Sequence, residues 1–123
     1  MARAANTDVI HSVAASGDAI GADCTYVTLW DAANAGNLLW SAAITSNPTP
    51  LTSGEGYEID AEALVINQTA GTGETEEMAR RAVRGRVAGG VWVQYHSGAP
   101  GSGSSNIIPL ARTFIAEAGF TIT

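Results

Sequence analysis

Histidine, cysteine and serine side chains are the first candidates for chemistry in this sequence. His11 and His96 are the only imidazoles, and Cys24 is the only thiol. Nucleophilic catalysis needs a hydroxyl or thiol beside a base, and no Gly-x-Ser-x-Gly turn marks such a serine. We therefore predict no catalytic residues and no enzyme. His96 is expected to hydrogen-bond the backbone of the Gly- and Pro-containing loop that follows it, and Cys24 is expected to be a buried thiol.

Carboxylates are the second class of candidates. Glu58 and Asp60 would share one face of a strand, and Asp60 and Glu62 would flank a turn, so these acids fit a solvated strand face better than an acid–base pair. The spacing of acids and histidines matches neither a calcium loop nor a His/carboxylate cluster. Gly71-Thr72-Gly73 precedes a predicted helix, but three glutamates follow it and the chain has no lysine. Such a loop does not fit phosphate, so we expect no metal site and no cofactor.

A group of arginines lies near the end of the predicted helix and allows two interpretations. It complements the negative end of the helix dipole, with Glu76–Arg80 and Glu77–Arg81 as i, i+4 ion pairs. Alternatively, it contacts an acidic face of a neighbouring subunit. The group consists of Arg80, Arg81, Arg84 and Arg86.

Composition sets the broad class of protein. The 123 residues fit one domain, and the net charge of −6 argues against a nucleic-acid-binding surface. A single cysteine excludes an intramolecular disulfide. No apolar stretch is long enough to span a membrane, and the first residues lack the apolar core of a secretory signal. We expect a protein made in a cytoplasm, with neither nucleic acid nor membrane as a partner.

Alternating apolar and polar residues predict mostly strands. A hairpin is predicted from Thr25–Asp31 and Asn37–Thr45, because β-branched and aromatic residues alternate on both sides of a Gly-containing turn. Thr75 caps one predicted helix, from Glu76 to about Gly85. A long exposed loop is predicted at Ser97–Asn106. The further predicted strands are Val9–Ala15, Gly56–Asp60, Ala63–Asn67, Val91–His96, Ile107–Leu110 and a last segment within Arg112–Ile122.

These elements predict a mainly β fold, a small two-layer β-sandwich (jelly-roll-like) with one short α-helix. We expect one β-rich domain over residues 1–123, with residues 1–23 as a candidate extended N-terminal arm.

Two segments resemble a family of small phage tail-fibre-like or minor tail proteins. Tyr26-Val27-Thr28-Leu29-Trp30-Asp31-Ala32, followed by Gly36-Asn37-Leu38-Leu39-Trp40-Ser41-Ala42, is similar to the second half of that family, and Gly54–Ala61 continues the similarity. The helix, the strand Val91–Tyr95 and His96-Ser97-Gly98-Ala99-Pro100-Gly101, with Asn106 and Arg112, are similar to its first half. Ala99 stands where the family has an acid. The two halves stand in swapped order here, which fits a circular permutation or an exchange of strands between subunits.

The resemblance implies a structural component of a tailed-phage virion, a minor tail or tail-fibre-associated protein. Its partners would be other virion proteins and copies of itself in a homo-oligomer. A decoration (cement) protein on the phage head is one alternative. A carbohydrate-binding module for host glycans is another, which would require exposed aromatic rings aligned on one face. The candidate partner contacts are Arg80, Arg81, Arg84, Arg86, His96, Pro100 and Asn106.

Overall fold

A computed structural model describes residues 1–13, 21–44 and 56–123. Within these residues the chain is mainly β with one short α-helix, which confirms the predicted small β-sandwich. The strands are β1 (Ala2–Asn6), β2 (Ile10–Val13), β3 (Tyr26–Trp30), β4 (Leu38–Ala43), β5 (Gly56–Ile59), β6 (Val65–Gln68), β7 (Val91–His96), β8 (Thr113–Ile115) and β9 (Phe120–Ile122). The helix α1 spans Glu76–Arg86, and a 3₁₀ turn spans Glu117–Gly119.

A four-stranded antiparallel sheet, in the order β4-β3-β7-β8, forms one layer. The alternation of β3 and β7 puts Val27, Leu29, Val93 and Tyr95 on its inner face, where all are buried. Thr28, Trp30, Gln94 and His96 lie on the opposite face. The predicted hairpin is confirmed: β3 pairs with β4, and a register shift near Leu29 and Trp30 leaves Leu39 as an extra residue.

The remaining strands cover the inner face. The antiparallel pair β2–β5 contacts the large sheet through Tyr57, whose ring stacks on Tyr95 at 5.0 Å between centroids. Ser12 Oγ lies 2.6 Å from both the Tyr95 hydroxyl and Thr113 Oγ1. The Tyr57 hydroxyl donates to the Ala22 carbonyl, so the two aromatic rings and the serine enter the core without an unpaired group.

A third sheet, in the order β6-β1-β9, lies under the helix. Helix α1 begins where Thr75 Oγ1 accepts a 3.2 Å hydrogen bond from the Met78 amide, as the predicted cap requires. Its buried residues Ala79 and Val83 face β1 and β6. The small side chains of β1 allow this close approach, since Ala2 and Ala4 are fully buried.

Two details differ from the sequence-based expectations. Strand β1 was not predicted, and within the candidate arm it is the central strand of its sheet, while β2 pairs with β5. The predicted strand Ile107–Leu110 is wrong, because only Ile107 makes a β-bridge, to His96, and Pro109 lacks a donor for a ladder. The segment Arg112–Ile122 contains two strands separated by the 3₁₀ turn. Parts of three predicted or similar segments lie outside the described residues. They are residues 14–15 of Val9–Ala15, residue 45 of Asn37–Thr45 and residues 54–55 of Gly54–Ala61.

Candidate partner-binding surface

His96 is buried at the end of β7 and joins the sheet to the loop that follows. Its Nδ1 lies 2.9 Å from the carbonyl oxygen of Ser105, and its Nε2 lies 2.8 Å from Thr28 Oγ1. A carbonyl can only accept, so Nδ1 carries the proton and Nε2 accepts from the Thr28 hydroxyl. The predicted hydrogen bond from His96 to the loop backbone is confirmed.

The same contacts explain the ionisation of His96. Burial lowers the pKa of the imidazole, the Ser105 carbonyl raises it in part, and the nearby Arg112 lowers it further. Thr28 Oγ1 also accepts a 2.8 Å hydrogen bond from Trp30 Nε1. Although a hydroxyl lies beside an imidazole, both residues are fully buried. A substrate cannot reach this pair, which therefore acts as a structural support for the loop.

The loop Ser97–Asn106 is closed at its neck by backbone contacts. The Asn106 carbonyl accepts from the Ser97 amide at 2.9 Å, and Asn106 Nδ2 donates to the Ala99 carbonyl at 2.9 Å. Asn106 has a φ of 55°, a left-handed conformation that asparagine tolerates. Pro100 is buried, and its carbonyl accepts from Gly103 and Ser105. Pro100 thus holds the inside of the loop, while Asn106 is exposed at its neck.

Arg112 fastens a second loop, the β3–β4 hairpin loop, to the large sheet, a role that the sequence did not reveal. Its guanidinium carbon lies 4.1 Å from the centroid of the Trp30 ring, a cation–π contact. Nη1 donates to the carbonyls of Ala32 and Ala35, at 2.8 Å each, and Nε donates to Gln94 Oε1 at 3.1 Å. One side chain therefore fixes the hairpin loop 31–37 against the outer face of the large sheet.

The arginines of α1 lie on the helix side away from the sheet. Arg80 and Arg81 both pair with Glu77, at 3.1 Å and 3.7 Å, so the predicted Glu77–Arg81 pair is confirmed and Arg80 does not pair with Glu76. Arg84 and Arg86 are exposed in the last turn, where they complement the helix dipole. This surface carries positive charge on a chain whose net charge is −6.

A groove of about 440 Å³ lies between the β3–β4 hairpin and the C-terminal end of α1. Trp40, Asp31 and Arg86 line it. Both carboxylate oxygens of Asp31 accept from Asn37, and these hydrogen bonds lower the pKa of Asp31. The groove thus combines one half-buried aromatic ring with an acid and a guanidinium.

Among the other aromatic side chains, Trp30, Trp92 and Phe114 stand opposite one another across β3, β7 and β8, on the outer face of the large sheet. Tyr57 and Tyr95 are buried. Trp30 is covered by Arg112 and by the loop at Gly103, while Trp92 packs on Phe114 with 5.0 Å between ring centroids. The Trp92 and Phe114 rings are tilted by 47° and Arg112 covers Trp30, so this row is not the flat, open platform that a carbohydrate-binding module would require.

Further candidates from the sequence have structural surroundings. Glu58, Asp60 and Glu62 are exposed, as predicted for a solvated strand face. Cys24 is buried, and burial raises the pKa of its thiol to about 11. No group of three or more metal-ligating side chains occurs among residues 1–13, 21–44 and 56–123. In the same ranges, no helix combines the length and the hydropathy needed to cross a bilayer.

Comparison with known proteins identifies the class of this protein, that of phage fibre structural proteins. The family described as Podophage GP4 fiber I protein gp80 matches residues 2–67, more than half of the chain, and the protein belongs to that family. No curated protein and no solved structure matches the chain significantly.

The matched segment does not complete any of the larger sheets by itself. It contains β1 to β6, but β3 pairs with β7 and β1 pairs with β9, both of which lie outside residues 2–67. The family match therefore covers only some of the strands that form the core, and strands after residue 67 supply the rest. The His96 loop and the arginines of α1 also lie after residue 67.

Proposed function

We propose that this protein is a structural component of a tailed-phage virion, a minor tail or tail-fibre-associated protein without enzymatic activity. Membership of the fibre family is the observation that carries the proposal. The contacts of the described residues agree with it, since the buried His96 holds the loop Ser97–Asn106 and Arg112 holds the hairpin loop 31–37. Other virion proteins and further copies of this chain are the proposed partners.

The arginines of α1 are the proposed contact for an acidic virion partner. Arg84 and Arg86 are exposed in the last helical turn, while Glu77 already engages Arg80 and Arg81. Charged pairs at the rim of an interface mainly set its orientation and association rate. The loop Ser97–Asn106, with Asn106 at its surface and His96 and Pro100 inside, is a separate proposed contact.

Labelling of virions tests the location. Immunogold directed at this protein, or density in a particle map, is expected at the tail end. Labelling at the vertices or across the shell would instead assign it to the head as a decoration protein. Virions that lack the protein altogether would contradict both assignments.

Incorporation into particles tests the proposed helix contact. A phage that carries Arg84→Ser should contain fewer copies of the protein per particle than one that carries Arg3→Ser, whose residue lies on β1. Both changes remove one cation, so net charge is matched. Equal copy numbers for the two variants would contradict a role for the helix.

A glycan-binding module is the second candidate, and the groove beside Trp40 is the observation that favours it. A half-buried indole with polar groups on either side suits a sugar ring. Binding of the purified chain to a glycan array, lost in Trp40→Ala and kept in Trp92→Ala, would support this function. Signals that are equal in the two variants would contradict the groove as the binding site.

A further inference from the structure

The charges of this protein are absent from two long stretches of sequence. Residues 32–54 and 87–111 contain none of its 6 arginines and none of its 12 acidic residues. The described parts of these stretches are the β3–β4 loop with strand β4, and strand β7 with the loop that follows. Exposed positions in both are occupied mainly by Ser, Asn, Gly and Ala, together with the apolar Leu39 and Ile107.

The two stretches meet on one side of the molecule. Gly103 lies so close to Trp30 and Leu38 that an added Cβ would be 2.6 Å from Trp30 Cζ2 and 3.4 Å from Leu38 Cδ2. Arg112 ties the carbonyls of Ala32 and Ala35 to the same region. We call the surface formed by residues 32–44 and 97–111 the neutral face; Asp31 and Arg112 mark its border.

Strand β4 forms an edge of the neutral face. Among the described residues it is the outer strand of the four-stranded sheet, and at six residues it is longer than the opposite outer strand β8, which has three. Natural edge strands are usually protected by charges, prolines or bulges. Here Leu39 forms a bulge at one end, but Trp40–Ala43 is regular and carries neither charge nor proline.

The hydrogen-bond alternation shows which groups of β4 point outward. The Ile44 amide donates to the Thr25 carbonyl of the β3 side at 2.7 Å. In an antiparallel ladder alternate residues bond the same neighbour, so Ala42 faces β3. Ser41 and Ala43 therefore direct their amides and carbonyls toward the open edge, and their side chains are exposed.

We infer that the β4 edge is a self-association surface, where a second copy of this chain adds its own β4 antiparallel to the first. This inference rests on the proposed virion role and names the contact between copies. Copies with a net charge of −6 repel one another, and the repulsion is smallest where the surface carries no charge. Interface cores are likewise depleted of charged residues, and an antiparallel pairing with its two-fold axis at Ala42 places Ser41 of one copy opposite Ala43 of the other, without a charge to desolvate.

Sedimentation velocity of the purified full chain over a range of concentrations tests the inference. The wild type is expected to associate reversibly. Ser41→Glu introduces a carboxylate near its symmetry mate and should raise the dissociation constant by at least about tenfold. Ala118→Glu is the matched control, because it adds the same charge at an exposed residue of the 3₁₀ turn; it should change the constant by less than about threefold.

A second variant tests strand pairing without a change of charge. Ala43→Pro removes an outward amide and leaves the bonds to β3 in place, so it should also weaken association while the melting temperature shows a folded chain. Added salt should leave the wild-type association unchanged or strengthen it, since it screens the repulsion between copies. An association held by arginine–carboxylate pairs would instead weaken as salt is added.

Several outcomes overturn the inference. A wild-type chain that stays monomeric at every concentration would do so, as would equal weakening by Ser41→Glu and Ala118→Glu. If the wild-type chain is monomeric and the Ser41→Glu variant is nevertheless missing from virions, the β4 edge would bind a different virion protein and not a second copy. These results are independent of virion labelling, so the self-association surface can fail while the proposed location stands.

Discussion

At the scale of single residues, His96 shows how a residue type associated with chemistry serves architecture. Its two ring nitrogens bond Thr28 and Ser105, and the bond that Nε2 accepts from the Thr28 hydroxyl needs the neutral ring. Burial lowers the pKa of His96 below its ordinary 6.5. The unfolded chain therefore binds a proton at a higher pH than the folded chain, and protonation favours unfolding.

This linkage predicts a loss of stability in mild acid. The free energy of unfolding should be at its full value above about pH 6.5 and should fall as the pH drops below it toward the folded-state pKa. Urea unfolding at pH 7.5 and pH 5.5 measures the difference. His96→Gln should reduce the pH dependence, while the exposed His11→Gln should keep it; an equal effect of both would contradict the assignment.

Arg112 gives a second prediction at this scale. Lysine keeps the charge but lacks the planar guanidinium that can stack on an indole while Nε and Nη1 donate to separate acceptors. Arg112→Lys should therefore lower the free energy of unfolding by about 2 kcal/mol, measured by urea denaturation. Arg84→Lys, at an exposed helical residue, should stay within roughly 0.5 kcal/mol of wild type. A comparable loss of stability in Arg84→Lys would show that any arginine-to-lysine change has this effect. The contacts of Arg112 with Trp30 and the hairpin loop would then not be its cause.

At the scale of elements, the loop Ser97–Asn106 is set by its closest approach to the sheet. Gly103 has a φ of 104° and touches the Trp30 ring, so a side chain there meets both backbone strain and a clash. Gly103→Ala should destabilise the protein by roughly 2 kcal/mol.

A glycine in the helix provides the control for this change. Nothing lies within 4 Å of an added Cβ at Gly85, so Gly85→Ala should stabilise the chain by about 0.5–1 kcal/mol. Thermal unfolding of both variants checks the pair of predictions. Shifts of the same sign would mean that the Gly103 contact does not govern the stability of the loop.

Local patterns predicted the elements whose residues have strong preferences. Helix α1 has a cap and charges that match its dipole, and β3 alternates β-branched and aromatic residues. Strand β1 has neither, because its Ala-Arg-Ala-Ala-Asn sequence has low strand propensity. Its pairing with β6 and β9 and its position under α1 determine its conformation, which only the tertiary structure reveals.

The candidate site was predictable to a similar degree. The role of His96 followed from its position at a strand end before a loop. The role of Arg112 did not, because its partners Ala32, Ala35 and Trp30 are distant in sequence and carry no motif. The neutral face likewise depends on two stretches that only the fold brings together.

At the scale of the whole molecule, the first and last described residues lie side by side. The amide and carbonyl of Arg3 exchange hydrogen bonds with those of Thr123, at 3.1 Å and 2.9 Å. The proposed permuted order of the two halves is thus geometrically accessible, since joining these ends requires only a short linker.

A permuted variant tests this geometry. A chain that starts at Ala70, continues through a glycine linker from Thr123 to Met1 and ends at Thr69 should keep the fold, because β6 and α1 are joined there by an exposed turn. We expect a cooperative thermal transition. An opening between Val93 and Gln94, inside β7, should abolish it; a chain that unfolds cooperatively when cut there would contradict the central role of β7.

The pairing of β1 with β9 also has a consequence for synthesis. Strand β1 leaves the ribosome well before β9, its sheet partner at residues 120–122, which follows more than a hundred residues later. Contacts this distant in sequence close slowly. During that interval the alanine-rich strand has one partner at most, so the cell's chaperones meet an incomplete sheet. Translation speed and chaperone supply should therefore influence how much of this protein reaches its assembled form.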